Sequence, residues 1–398
     1  MTKDQALCLE PYTAIALTSL NEGKNLLENI LLSIQELQPR KVDKPIVLYG
    51  AGNLGKMAKS FFDYLNMPLL YVVDRNAAKH KTDEYWRETR VIHPDYVNAA
   101  DKKNVLLVVC VVTMPLIALR DELIAAGWED TAYFYDVSEA YRGCQPISNG
   151  WFINKLSSRE KESIKKVYSS LSDDFSRMHY LQFLAWRRLR VELLFRDIEI
   201  NGSNRFFIPE IVSVLNEHEV FVDCGAHKGF VIEKFLETVK SKYKDIYAIE
   251  PDKENYELCK STLKGIKNIS MIGSALSDRI GEDNFYQGFN FASKLNMFGD
   301  AKVTIITLDS LHIPATFIKM HVEGGEFDAL KGAVITIQKY RPIVAVTIYH
   351  NSDGVWGIPL CLMENAKDYI YCMKSHSWGG TGTVLYAIPN ERYKKHDV

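Results

Sequence analysis

The chain has 398 residues, which is long enough for two domains that each bury their own core. A formal net charge of -2 gives no reason to expect a general affinity for nucleic acid or for anionic membranes. The seven cysteines form no Cys-x-x-Cys pair, and no signal-type or membrane-spanning apolar run is present. These features predict a soluble cytoplasmic protein.

Residues 1–40 are predicted to be helical, because leucines recur at helix-like spacing between Leu20 and Leu37. We expect this segment to pack against the domain that follows, within a first domain of residues 1–140. A loosely attached amphipathic tail is the alternative interpretation.

A dinucleotide-type glycine motif follows the first predicted strand. The sequence from Gly50 to Gly55 reads Gly-Ala-Gly-Asn-Leu-Gly, and a predicted helix and a second strand lead to Asp74. In dinucleotide-binding folds an acid near this position binds a ribose. The pattern predicts a nucleotide site made by Gly50, Gly52, Gly55 and Asp74, with a nucleotide, a nucleotide-linked sugar or NAD as its ligand. Alternatively, the glycines only allow the strand and the helix to pack closely.

Two more strands are predicted at residues 104–112 and 131–136, with a helix at 116–126 between them. Strands that alternate with helices and look buried indicate a parallel sheet covered on both faces. Residues 141–205 are predicted to be a helical connector, with helices at 157–171 and 177–195. The basic cluster at 187–190 is interpreted as a solvated helix face.

A second glycine turn organises the C-terminal half. Apolar residues lead to Asp223, the turn Gly-Ala-His-Lys-Gly spans residues 225–229, and the next apolar run ends on Glu250. Glycines let a backbone approach a ligand closely, and an acid at a strand end accepts hydrogen bonds from a ribose diol. The first acid suits a ligand ammonium, and this turn is not a phosphate-binding Gly-x-Gly-x-x-Gly. The pattern therefore predicts S-adenosylmethionine.

Strands and helices continue to alternate through residues 206–398. The third strand is predicted at 269–276, followed by Ser277 and Asp278, where an adenine amine can bind. A helix is predicted at 326–340, and two final strands close the sheet. The predicted fold class is α/β, with two Rossmann-like doubly wound sheets joined by the helical connector.

Several ordered motifs of this half resemble the FkbM-type S-adenosylmethionine-dependent methyltransferases. They are Val-Asp-Cys-Gly-Ala-His-Lys-Gly at 222–229, Ile-Glu-Pro-Asp at 249–252, Ile-Lys-Met-His-Val-Glu-Gly-Gly-Glu at 318–326 and Ala-Leu-Lys-Gly at 329–332. The resemblance covers residues 206–390 and implies a seven-stranded methyltransferase sheet. It also implies O-methylation of a hydroxyl, often on a sugar or polyketide. The family motif usually has an aspartate where this chain has His321.

Carried over by position, the resemblance assigns the cofactor contacts to one set of residues. The methionine end would lie at Asp223 and the turn, the ribose at Glu250, and the adenine near the following strand end. The predicted cofactor-binding residues are Asp223, Gly225, Ala226, Gly229, Glu250, Ser277 and Asp278.

Methyl transfer to a hydroxyl needs a group that accepts the hydroxyl proton. His321, His350 and Glu323 are predicted at the carboxyl ends of core strands, where open α/β sheets bind ligands. His321 or His350 is the predicted base, and Glu323 borders the same rim. Alternatively, each histidine only hydrogen-bonds a neighbouring loop. The same three side chains have the chemistry of a zinc, iron or manganese site, but no close His-x-x-x-His spacing supports one, and no metal is predicted.

Two other function classes remain open from the sequence. The Gly50 turn favours an NAD-dependent oxidoreductase, and the His321 departure allows a non-catalytic nucleotide-sugar-binding protein. The expected partner is a small-molecule or glycan acceptor, without nucleic acid or membrane, and the chain is compatible with a homo-oligomer.

Overall fold

The computed structural model describes residues 9–17, 20, 23–145, 147, 149–286, 294–295, 299 and 301–393. The chain divides into two compact units, and each combines segments that are distant in sequence. The first unit contains residues 1–156, 181–198 and 377–381, and the second contains residues 157–180, 199–376 and 382–398. The connector predicted at 141–205 is therefore shared between the two units.

The first unit is built around a five-stranded parallel sheet. Its elements in chain order are β1 (Ala14–Leu17), α1 (Gly23–Leu32), β2 (Ile46–Tyr49), α2 (Asn53–Tyr64), β3 (Leu69–Val73), β4 (Val91–Ile92), α3 (Ala99–Asn104), β5 (Leu106–Val109), α4 (Leu116–Ala125), β6 (Thr131–Tyr133) and α5 (Phe134–Glu139). The strand order is β4-β3-β2-β5-β6. Every residue of the central strands β2 and β5 is buried, as expected for a parallel sheet covered on both faces.

The next elements correct two helix predictions. Helix α6 (Ser158–Ser170) and helix α7 (Asp174–Leu189) are followed by strand β7 (Glu192–Phe195), which pairs in parallel with β1. The predicted helix over 177–195 ends early because Arg190 has a left-handed φ of +54°. The prediction that residues 1–40 are helical is also wrong at β1, where pairing with a distant strand overrides the local pattern.

The arginines at the C-terminal end of α7 are not the solvated helix face that the sequence suggested. Arg187, Arg188 and Arg190 are 0%, 2% and 1% exposed. The guanidinium of Arg190 donates from Nε and Nη2 to Oδ1 of Asp136, at 3.0 and 2.7 Å. Arg187 and Arg188 donate to backbone carbonyl oxygens, among them that of Trp151. These buried cations link the end of α7 to loops of the first unit.

The second unit contains the remaining elements. They are α8 (Pro209–Val212), β8 (Val220–Cys224), α9 (Phe230–Thr238), β9 (Asp245–Ile249), α10 (Lys253–Thr262), β10 (Ile269–Ile272), β11 (Ala275–Leu276), β12 (Gly281–Tyr286), β13 (Lys294–Leu295), β14 (Ala301–Ile306), β15 (Phe317–Met320), α11 (Glu326–Lys331), α12 (Val334–Tyr340), β16 (Ile343–Thr347), α13 (Gly357–Asn365), β17 (Tyr369–Ser375) and β18 (Thr383–Pro389).

A seven-stranded sheet in the order β10-β9-β8-β15-β16-β18-β17 forms the centre of this unit. Strands β10 to β16 of this order are parallel, and β18 is antiparallel to both of its neighbours. This arrangement confirms the predicted seven-stranded α/β fold with an antiparallel element at one edge. No described helix combines the length and the apolar character that a membrane span requires.

Two elements of the second unit are divided more finely than predicted. The third strand splits into β10, which pairs with β9, and β11, which joins a separate sheet of order β11-β14-β12-β13. The helix predicted over 326–340 is divided into α11 and α12 around Gly332. A side chain at Gly332 would place its Cβ 2.1 Å from the carbonyl oxygen of Ser277, so this turn packs directly on the strand end.

The buried Arg190–Asp136 pair predicts a large stability effect. Arg190→Ala leaves the Asp136 carboxylate buried without its cationic partner, and we expect the free energy of unfolding to fall by about 3–5 kcal/mol. Urea unfolding followed by circular dichroism measures the change. The matched control is Arg87→Ala, because the Arg87 side chain is 78% exposed beside Glu84, and it should change stability by less than about 0.5 kcal/mol. Equal effects of the two variants would contradict the assignment.

Candidate functional site

At the glycine turn after β8, three backbone segments lie very close together. Gly225 and Gly229 have left-handed φ values of +83° and +89°. A Cβ on Gly225 would lie 1.9 Å from the carbonyl oxygen of His321, so no other residue fits there. The amides of Gly225 and Ala226 both donate to the carbonyl oxygen of Ile249, at 2.9 and 3.0 Å. The turn is therefore fixed against the ends of both β9 and β15.

Glu250 directly follows β9 and is only 6% exposed. Its Oε2 accepts from the amide of His227 at 2.7 Å, and its Oε1 accepts from the amide of Asp252 at 2.9 Å. Burial raises the pKa of this carboxyl to about 7, although the two amide donors act against the shift. Each oxygen keeps a further lone pair, so the oriented carboxylate can still accept hydrogen bonds from a diol.

Asp223 is fully buried at the end of β8, and its partner lies on the adjacent strand. Its Oδ1 accepts from Nζ of Lys319 at 2.7 Å, and the same Nζ donates to the carbonyl oxygen of Gly225 at 2.7 Å. Burial raises the pKa of Asp223, and the Lys319 ammonium opposes that shift. A ligand ammonium was the expected partner of Asp223, whereas the structure places the Lys319 ammonium there. The sequence prediction did not name Lys319.

A cavity of about 310 Å³ lies beside these residues in the second unit. Its lining includes Gly225, Ala226, Glu250 and Lys319, together with the aromatic side chains of Phe206, Phe230 and Phe285. Asp223 and Gly229 are not part of the lining. The cavity therefore brings together the glycine turn and the ribose-type acid that the sequence predicted.

The residues of the third strand that line the cavity lie slightly earlier in the chain than the two residues predicted near an adenine. Residues 274–276 line the cavity, whereas Ser277 and Asp278 do not. Asp278 is exposed and forms an ion pair with Lys331 at 3.0 Å. The division of the third strand explains the offset, because residues 273–274 leave the main sheet and turn the chain toward β11.

His321, Glu323 and His350 lie together, as the predicted catalytic set requires. Nε2 of His321 is 2.8 Å from Oε1 of Glu323, and Nε2 of His350 is 3.3 Å from Oε2 of the same carboxylate. His321 and Glu323 line the cavity, whereas His350 is 2% exposed and lies outside the lining. The structure therefore separates the two histidines by their access to a ligand.

The side chains of this cluster shift one another's pKa values. Burial lowers the pKa of His321 to about 4. Burial alone would lower the pKa of His350, but Glu326, Tyr349 and Glu323 raise it well above its usual value. Burial alone would raise the pKa of Glu323, but His350 and His321 hold it well below its usual value. The cluster thus keeps ionised carboxylates in a buried place because histidines face them.

Three further residues belong to this rim, and the sequence pattern predicted no role for Arg205 or Tyr349. Glu326 is buried beside His350, with Oε1 2.8 Å from Nδ1 of that histidine. Arg205 lines the cavity and donates to the hydroxyl of Tyr349 at 3.1 Å, which in turn lies 3.2 Å from Nε2 of His321. A lone charge such as Lys319 in a buried strand signals a partner, but no local pattern identifies Arg205 or Tyr349.

The glycines of the motif in the first unit differ in the space around them. A Cβ on Gly52 would meet nothing within 4 Å, whereas a Cβ on Gly55 would lie 2.0 Å from the carbonyl oxygen of Gly50. The Asp74 carboxylate accepts from the amide of Ala51 at 2.7 Å and also from that of Asn76. Gly55 therefore serves close packing, whereas Gly52 leaves open space. The nucleotide site of this unit stays a prediction.

A polar cavity of about 390 Å³ also lies in the first unit, lined by residues between Ala77 and Val91. Its lining does not include Gly50, Gly52, Gly55 or Asp74. The indole Nε1 of Trp86, one of its lining residues, donates to the carbonyl oxygen of Ala51 at 2.9 Å. This cavity and the glycine turn are thus neighbouring but separate features.

The comparisons with known proteins agree with the C-terminal geometry. Residues 223–377 match the family model described as the methyltransferase FkbM domain. The crystal structure of the methyltransferase FkbM from Methylobacillus flagellatus KT is similar, with 18% sequence identity, 92% of this chain and 96% of that chain covered, and a TM-score of 0.58. A SAM-dependent methyltransferase from Aquifex aeolicus matches with 15% identity, 44% and 84% of the two chains, and a TM-score of 0.28. No curated protein matches the chain.

The open space at Gly52 gives a test of the first unit. If a nucleotide phosphate binds against this turn, Gly52→Asp should weaken NADH binding at least tenfold by charge repulsion, while the melting temperature stays unchanged. NADH fluorescence titration measures the affinity. Gly143→Asp is the matched control, because a Cβ at Gly143 also meets nothing within 4 Å. Absence of NADH binding to the unaltered protein would exclude NAD as the ligand of this turn, and equal affinities in both variants would place the bound phosphate away from Gly52.

Proposed function

We propose, from the match of residues 223–377 to the methyltransferase FkbM domain, that the protein transfers a methyl group from S-adenosylmethionine to a hydroxyl oxygen. The acceptor would be a sugar, a glycan or a polyketide-like alcohol. The observation that carries the proposal is that one cavity is lined both by Glu250 and the glycine turn and by His321 and Glu323. Cofactor-binding groups and groups able to accept a proton therefore meet in one space.

The lining residues fit S-adenosylmethionine. Glu250 would accept hydrogen bonds from the two ribose hydroxyls, because the amides of His227 and Asp252 already orient its carboxylate. The turn at Gly225 gives the backbone access that a Cβ would block. The apolar wall of Ala275 and Leu276 suits an adenine ring. Asp223 would act indirectly, since it holds the Lys319 ammonium that binds the carbonyl oxygen of Gly225.

The residues of the rim would prepare the acceptor. Bound S-adenosylmethionine supplies an electrophilic methyl group on a positively charged sulfur. The protein then has to align the acceptor oxygen, exclude water and receive the hydroxyl proton. His321 and Glu323 reach the cavity and are the candidates for the proton-accepting group. His350 is a positioning residue, because it touches Glu323 and Glu326 but does not line the cavity.

The rest of the lining supports an acceptor with both apolar and polar surface. Phe206 and Phe230 offer aromatic faces, and Arg205 adds hydrogen-bond donors. A sugar ring or an oxygenated polyketide presents such a mixed surface. A proton-accepting rim also favours a hydroxyl, since an alcohol is a weak nucleophile while it keeps its proton.

Two substitutions should separate cofactor binding from chemistry. Glu250→Ala removes both diol contacts, and we expect the affinity for S-adenosylmethionine to fall roughly 10- to 100-fold. His321→Ala should keep that affinity within about threefold and lower turnover by about 10²- to 10⁴-fold. Calorimetric titration measures the affinity, and formation of S-adenosylhomocysteine with a panel of sugar and polyketide alcohols measures turnover.

Glu254→Ala is the control for this experiment. Glu254 is exposed in the first turn of α10, shortly after Glu250 in the sequence, and it does not line the cavity. Asp223→Ala is a poor choice, since it would leave Lys319 buried and uncompensated and would destabilise the fold. A wild-type protein that binds no S-adenosylmethionine would refute the proposal. Cofactor binding without any turnover would instead favour a non-catalytic binding protein.

The raised pKa of Glu250 predicts a pH dependence of binding. The ionised carboxylate accepts hydrogen bonds better than the protonated acid, so the ligand should prefer the form that dominates above about pH 7. Affinity for 5′-methylthioadenosine, which has the ribose but no amino acid group that titrates, should fall about tenfold per pH unit below pH 7 and level off above pH 8. Titrations between pH 5.5 and about 8.5 measure this. The slope should vanish in Glu250→Gln, and an unchanged slope in that variant would assign it to another group.

A further inference from the structure

Two imidazole nitrogens face one carboxylate at the rim of the cavity. Nε2 of His321 and Nε2 of His350 lie 2.8 and 3.3 Å from the two oxygens of Glu323. One ligand atom from each residue can be chosen so that all three lie within 4.8 Å of one another. The imidazole rings are nearly parallel, with centroids 5.2 Å apart and planes 20° apart. Both histidines therefore present the same nitrogen to the same place.

The other nitrogen of His350 lies beside a second carboxylate. Nδ1 of His350 is 2.8 Å from Oε1 of Glu326. Glu326 is itself fixed, because it accepts from the amides of Val322 and Gly324 and from the hydroxyl of Thr347. In metal sites a carboxylate on the remote imidazole nitrogen fixes the ring and leaves the other nitrogen for the ion. Glu326 has this position relative to His350.

The backbone holds the Glu323 carboxylate in place through a conformation that is energetically unfavourable. Glu323 has a left-handed φ of +51°, which is unfavourable for a residue with a Cβ, and Gly324 follows with φ +104°. The segment directly follows β15, and His350 follows the adjacent strand β16. Strained conformations persist where surrounding structure enforces them, and here the strain carries Glu323 to the point where the two histidines meet.

We propose that His321, Glu323 and His350 bind a divalent transition-metal ion at the rim of the cavity. Imidazole and carboxylate together suit zinc, iron, manganese and cobalt. Ligand atoms at ordinary metal distances are separated by about 2.9–3.4 Å when they occupy adjacent positions around one ion. The two nitrogen–oxygen distances at Glu323 are close to that range. Three protein ligands leave coordination positions open, and two of the three ligands line the cavity.

The side chains around this point carry a net negative charge once an ion takes the place of the His350 proton. Glu323 and Glu326 bring two carboxylates, while Arg205 brings one guanidinium, which donates to the hydroxyl of Tyr349. That hydroxyl lies 3.2 Å from Nε2 of His321 and would have to give way to an ion. Lys319 adds no uncompensated charge, because it is paired with Asp223.

The consequence for the reaction rests on the proposed methyl transfer. With an ion bound, His321 would be a ligand, and the ion would lower the pKa of an acceptor hydroxyl that binds to it. The O–H bond breaks and its proton passes to water. The oxygen lone pair then forms the O–CH₃ bond while the S–CH₃ bond breaks, and its electron pair stays on the neutral sulfur. A bound ion would thus replace a protein base.

Metal binding can be tested on the full chain independently of turnover. Protein purified without chelators, then stripped and titrated with Co²⁺, should bind one ion per chain and show the visible absorption of a nitrogen- and oxygen-ligated cobalt centre. Calorimetry with Zn²⁺ and Mn²⁺ gives the affinities. Glu323→Gln and His350→Gln should each weaken binding by more than about 100-fold, and Glu326→Gln by about 10- to 100-fold.

His218→Gln is the matched control, because it removes an exposed histidine away from the cluster and should leave ion binding unchanged. The cobalt spectrum of the unaltered protein needs no variant, so it stays informative if a variant does not fold. Absence of a stoichiometric ion, or binding that survives both Glu323→Gln and His350→Gln, would overturn the metal site. S-adenosylmethionine titration of the stripped protein keeps the two proposals apart, since the cofactor should bind there with or without the ion.

Discussion

The buried ion pair between Lys319 and Asp223 connects the parts of the second unit on which the site depends. Strands β8 and β15 are adjacent at the centre of the sheet, and their register places these two residues opposite each other. Neither charge is exposed to solvent, so each requires the other, and loss of one would leave the second uncompensated. A shift of register by one residue would turn the charged side chains to the opposite face. The pair therefore favours one alignment of the two strands.

This alignment has consequences at the strand ends. Nζ of Lys319 holds the carbonyl oxygen of Gly225, and the amide of His321 donates to the carbonyl oxygen of Cys224 at 2.9 Å. The glycine turn and the residues after β15 are thereby fixed against each other, at the separation that excludes a Cβ from Gly225. The glycine turn follows β8, and His321 and Glu323 follow β15. Their common cavity is a result of the register of the sheet.

Local patterns predicted the features that depend on neighbours in sequence. The turn at 225–229 and the acid at Glu250 follow directly from glycine geometry and strand spacing, and the alternation of elements predicted both parallel sheets. The features that depend on distant partners were missed. Strand β1 exists because it pairs with β7, and Arg190 is buried because Asp136 receives it. The partners, β7 and Asp136, are far in sequence from β1 and Arg190, so no local pattern indicates them.

In the candidate site, too, sequence reasoning predicted the features that depend on local patterns and missed those that depend on the fold. Sequence reasoning placed His321, Glu323 and His350 at one rim because the carboxyl ends of parallel strands share one edge. It did not distinguish the two histidines, since only the fold shows that His321 lines the cavity and His350 is covered. It also placed Ser277 and Asp278 at the adenine wall, because it read residues 269–276 as one strand rather than two. The offset shows how a single break in a strand moves a wall of the cavity by a few residues.

The histidine at position 321 is best understood together with its surroundings. The motif that this segment resembles usually has an aspartate there, and an aspartate would add a third acid to Glu323 and Glu326 around one histidine. Such a group would concentrate negative charge in a buried place, which is costly. His321 avoids that charge, reaches the Glu323 carboxylate at 2.8 Å and lines the cavity. The departure therefore preserves a polar, ligand-facing group at the rim, and it changes the chemistry of that group from an anion to an imidazole.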